Sequence, residues 1–111
     1  MNEGMNMAFI RIDEYVVSYS THGDRFPPRI WLYSEGRSIG QLLFARNGAK
    51  LPQDEMKQEN RYWLWYHLED FSNLLDLLRN EKPVYLVFGG SGPEYENGIR
   101  TFEEEAGEGE T

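Results

Sequence analysis

Residues 61–80 read RYWLWYHLEDFSNLLDLLRN, and this stretch decides the fold. Its first eight residues are aromatic and aliphatic with a period of two, which is a β-strand signature. Tyr62, Leu64, Tyr66 and Leu68 fall on one face of that strand, and Arg61, Trp63, Trp65 and His67 fall on the other. With no break the chain then changes period. Phe71, Leu74, Leu75 and Leu78 follow the i, i+3, i+4, i+7 spacing of an amphipathic helix, with Asp70, Asn73, Asp76 and Arg79 turned away. Glu69 and Asp70 suit the positive end of that helix, Arg79 and Lys82 the negative end, and Pro83 stops it. One helix can cover one sheet face only, so a second aromatic face needs other cover.

Upstream, Ala8–Ser20 reads as a strand or a broken pair of strands. Ile10 and Ile12 share one parity, while Tyr15, Val17 and Tyr19 share the other, which predicts a bulge or sharp bend near Asp13-Glu14. Residues 21–28 (THGDRFPP) form a loop. Arg29–Ser34 and Ser38–Arg46 form a hairpin through Glu35-Gly36-Arg37, with glycine at the strained turn position. Leu51–Asn60 is polar and exposed. After the helix, Val84–Phe88 is a short apolar strand placed centrally, and Ile99–Phe102 is a last edge strand. The expected fold class is α+β: a mostly antiparallel sheet in the order ββββ-α-ββ, with one amphipathic helix packed on one face.

The chain has 111 residues, enough for one domain. The expected organisation is a frayed start at 1–7, a single domain at 8–102, and a disordered acidic tail at 103–111. That tail, EEEAGEGET, holds five glutamates and no base, and nothing apolar beyond Ala106. The net charge of −8 argues against a plain DNA-coating protein. Charge is unevenly spread, because residues 25–50 carry Arg25, Arg29, Arg37, Arg46 and Lys50 against Glu35 alone. Absence of cysteine excludes disulfides, thiolate metal sites and a cysteine nucleophile. No apolar run is long enough for a membrane helix, so a soluble cytoplasmic protein is expected, with no membrane contact.

Catalytic motifs are weak. His22 and His67 have no metal-ligand spacing, and no metal or other cofactor is expected. His67 with Glu69 and Asp70, at a strand-to-helix junction, is the one arrangement suited to acid-base work. Gly89-Gly90-Ser91-Gly92-Pro93 runs towards a strand and two glutamates, so it reads as a hairpin connection and not as a phosphate loop. No serine stands in a G-x-S-x-G elbow.

The aromatic strands carry the functional expectation. Trp31, Tyr33, Arg61, Trp63 and Trp65 are the interface candidates of a small non-enzymatic protein–protein interaction module. Its expected partner is itself, as a homo-oligomer, or another protein. The alternative is a single-stranded nucleic-acid binding regulator using Arg29, Trp31, Arg37, Arg46 and Lys50, phosphate pairing with the cations and stacking on the ring. Four strands followed by a helix, over Phe9–Asn80, resemble the Whirly and positive-cofactor type of single-stranded nucleic-acid binder in the order of elements, without a shared motif. That resemblance implies dimeric sheets whose faces take bases and backbone. A small enzyme centred on His67 is the third reading.

Overall fold

The computed structural model describes residues 7–102. The acidic tail and all but the last residue of the expected frayed start therefore lie outside the described residues. Eight strands and one helix follow in the order β1 (Ala8–Ile12), β2 (Glu14–Ser18), β3 (Arg29–Ser34), β4 (Arg37–Ala45), β5 (Glu55–Gln58), β6 (Arg61–His67), α1 (Phe71–Asn80), β7 (Val84–Phe88) and β8 (Gly98–Thr101). A 3-10 turn over Leu68–Asp70 leads into α1.

The fold is α+β, as expected, but the strands form two sheets and not one. The larger has the order β2-β3-β4-β6-β5 and the smaller β1-β7-β8. All pairings are antiparallel except β4 with β6, which run parallel. The expected order ββββ-α-ββ is corrected in two places. The first run is two strands divided between the two sheets, and Glu55–Gln58 adds a strand at the edge of the larger one. That edge strand is exposed throughout, so it lacks the apolar alternation that reveals a half-buried strand.

The parity change at Asp13 is the corner where the chain crosses from one sheet to the other. The Asp13 N–H donates to the Tyr33 carbonyl at 2.8 Å, and its carboxylate accepts the Glu35 N–H at 2.7 Å. The bend is thereby tied to the β3–β4 turn, where Glu35 and Gly36 both adopt positive φ.

The core lies between the sheets. Ile30, Leu32, Leu42, Phe44, Tyr62 and Leu64 from the larger sheet meet Leu86 and Phe88 from the smaller. The Tyr62 and Phe88 rings stand 4.8 Å apart. α1 closes the same core with Phe71, Leu74, Leu75 and Leu78, Phe71 lying edge-on to Phe44 at 4.9 Å. Each such side chain stabilises the fold by roughly 1.5–3 kcal/mol on burial. The helix thus shares the inner face with a whole second sheet. The tyrosine face of β6 is core, and the tryptophan face is the outside.

One irregularity shapes the larger sheet. Between β3 and β4 the pairing passes from Leu32↔Gly40 to Tyr33↔Ser38, leaving Ile39 as an extra residue that drops into the core. Gly40 beside it has φ +144, and a Cβ there would run into the Tyr62 carbonyl. Only glycine lets β4 and β6 approach at that point.

Candidate functional site

The outer face of the larger sheet is built from residues of one parity on β3 and β6. Register joins them in rows. Val16, Trp31, Gln41, Trp63 and Glu55 form the middle row; Ser18, Arg29, Leu43 and Trp65 form the next. All three tryptophans of the chain lie on this face. Neighbouring strands are about 4.8 Å apart, so Trp31 and Trp63 flank Gln41 at roughly 10 Å from each other. Each tryptophan is half-buried, and Leu43 between them is buried. α1 and the three-stranded sheet both pack on the opposite face.

The rings are held in place by polar contacts. The Trp31 indole N–H donates to Ser18 Oγ at 3.2 Å, and the Arg29 guanidinium sits 5.7 Å from the Trp31 ring centre. Arg29 is itself fixed by donation to the Pro27 carbonyl at 2.9 Å. Lys57 Nζ stands 4.5 Å from the centre of the Trp63 ring and 3.6 Å from Glu55. Cation–π contacts of this kind contribute about 0.5–1 kcal/mol at exposed sites. Trp65 is fixed through its main chain, whose N–H donates to Asp54 Oδ1 at 2.7 Å. Asp54 also accepts from Asn97 Nδ2 at 3.0 Å, so the β7–β8 loop is drawn up beside Trp65. Between them lies an open groove of about 670 Å³, with Lys50, Pro52, Pro93 and Tyr95 on its walls.

The five interface candidates, Trp31, Tyr33, Arg61, Trp63 and Trp65, thus belong to one face. Tyr33 pairs with Ser38, and Arg61 donates to Ser38 Oγ at 3.3 Å, which makes them one end of it. The nucleic-acid set is scattered. Arg29 and Trp31 are neighbours, but Arg37 and Arg46 lie at opposite ends of nine-residue β4, about 30 Å apart, and Lys50 is in the loop beyond. His67 Nε2 is 2.7 Å from the Ala49 carbonyl, so that nitrogen is the donor and Nδ1 the acceptor. The Glu69 N–H donates to Asn47 Oδ1, and among the described residues no hydrogen bond links His67 to Glu69 or Asp70. No group of three or more metal-ligating side chains is found among the described residues. Nor is any described helix long and apolar enough to cross a membrane.

Gln41 is the residue that sequence reading missed. Its signal was present, because it is the one polar side chain within the run IGQLLFA at 39–45. It is 7% exposed, and its Oε1 has no hydrogen-bond partner among the described residues. Two tyrosines on the inner face have raised pKa values. Burial pushes Tyr66 up to about 12, with Asp54 and Asp70 adding to it and a main-chain hydrogen bond at Ile99 opposing. Burial, then Glu59, raises Tyr62.

No family model, curated protein or solved structure matches this chain.

Proposed function

We propose that the protein is a non-enzymatic protein–protein interaction module whose working surface is the tryptophan face of the larger sheet, closed in solution by a second copy of the chain. One observation carries this reading: every tryptophan of the chain stands on a single sheet face over which no other sheet or helix packs. Tryptophan is enriched at interface hot spots because a large rigid ring gives much contact area for little lost entropy. Five strands about 4.8 Å apart and about 20 Å long present a face of the order that a stable dimer covers, roughly 800 Å² per partner. The cytoplasm is the proposed location, on composition.

The test is solution mass against concentration. The wild-type chain is expected at twice its 13.0 kDa mass in the micromolar range, and Trp63→Ser at the monomer mass with an unchanged far-ultraviolet spectrum. A wild-type protein that stays monomeric, or a Trp63→Ser dimer as tight as wild type, contradicts the proposal.

The second reading, single-stranded nucleic-acid binding, is favoured by Arg29 and Lys57 lying over two of the three tryptophans. Cations beside aromatic rings are what stacking platforms for bases use. Its affinity would fall steeply with salt, whereas an apolar dimer's would not.

A further inference from the structure

We infer that the two copies pair face to face about a two-fold axis running along β4, with the Gln41 amides of the two chains hydrogen-bonded to each other at the centre. The inference rests on the proposed reading of the tryptophan face and names the geometry of its partner.

Gln41 stands at the middle of that face. β4 is the central strand of the order β2-β3-β4-β6-β5, and Gln41 lies between Trp31 and Trp63 in the middle row. Its side chain is more than nine-tenths buried, yet one amide atom is unpartnered. A buried acceptor left without a donor is destabilising, so a glutamine here calls for a partner that completes it. A carboxamide carries both a donor and an acceptor, so its own copy across a two-fold axis satisfies both oxygens at once.

The surrounding charges choose the direction of the axis. Rotation about β4 exchanges β3 with β6 and β2 with β5. Trp31 then meets the partner's Trp63, and Glu14 on the β2 edge meets the partner's Lys57 on the β5 edge. An axis across the strands would instead set Glu55, which shares the row of Gln41, against its own copy. Like charges held together oppose association, so the first direction is favoured.

The experiment measures dimer dissociation by sedimentation for the full chain and for Glu14→Lys, Lys57→Glu, their combination, and Gln41→Glu. Both rim residues are exposed, so the charge variants preserve the fold. Each single reversal is expected to weaken the dimer about tenfold, and the double reversal to restore it to within about twofold. Gln41→Glu is expected to give monomer at neutral pH, two carboxylates meeting on the axis. A double reversal no tighter than the singles, or a Gln41→Glu dimer as tight as wild type, overturns the inference. If Trp63→Ser still dissociates in that case, the wider reading of the face survives. A wild-type chain that never dimerises overturns both. Should Gln41→Glu fail to fold, the rim reversals alone decide.

Discussion

Asn97 and Asp54 meet at 3.0 Å although 43 residues separate them in the chain. Asn97 uses its whole amide, its Oδ1 accepting the Gly89 N–H at 2.7 Å and its Nδ2 reaching both Asp54 and the Gly90 carbonyl. Asp54 in turn accepts the Trp65 N–H. The pair joins the hairpin of the smaller sheet to the edge of the larger one.

Removing that junction has a defined cost. Asp54→Ala leaves the Trp65 N–H and the Asn97 amide short of an acceptor, and should destabilise the fold by about 1–3 kcal/mol. Glu55→Ala, one residue on and exposed, should stay within about 0.5 kcal/mol. Chemical denaturation of the two variants checks the contrast.

The helix and the smaller sheet should both prove part of one core. Leu74→Ala and Leu86→Ala, each emptying a buried site, are expected to cost about 2–5 kcal/mol. Leu77, outside the core cluster, should cost well under that range when truncated. Equal losses at Leu74 and Leu77 would show that α1 does not seat as described.

Gly40 supplies a sharper test of β4–β6 pairing. A methyl group there meets the Tyr62 main chain, its nitrogen at 2.8 Å and its carbonyl carbon at 2.9 Å, and backbone cannot swing aside. Gly40→Ala should destabilise by about 3 kcal/mol or more, read from the denaturation midpoint. Gly23→Ala, in open space, should leave the midpoint nearly unchanged.

Alkaline stability follows from Tyr66. Its hydroxyl holds its proton up to about pH 12 in the folded chain, against an ordinary value of 10.0. Between those values the unfolded chain has lost a proton that the folded chain keeps, so stability falls as pH rises. The contribution is full below pH 10 and is lost on passing through about pH 12. Tyr66→Phe should flatten this limb of the stability–pH curve. An ultraviolet titration should show one tyrosine fewer ionising near pH 10 in the native protein.

Much of this architecture was legible in the chain. The switch of period within RYWLWYHLEDFSNLLDLLRN marked β6 and α1, and the parity change at Asp13 marked the corner between sheets. Two things escaped. β5 is exposed at every position, so no alternation betrays it. The parallel pairing of β4 with β6 depends on a 15-residue connection whose path is set by Asp54 and by the His67–Ala49 contact, both long-range. At the site, period two separated the tyrosine from the tryptophan face of β6 without saying which was core. Tertiary packing decided that, because the second sheet arrives from β1, β7 and β8 on the tyrosine side. Lys57 over Trp63 escaped for the same reason.

Because all three tryptophans stand on the proposed interface, the intrinsic fluorescence of the whole protein reports on that face alone. The most direct measurement is therefore quenching by a neutral small molecule across a dilution series, recorded beside the solution mass. Quenching should be weak where the mass is that of a dimer and should rise in step as the chains separate. Quenching that stays constant while the mass changes would mean that the copies meet elsewhere, and the tryptophan face would not be the surface by which this protein works.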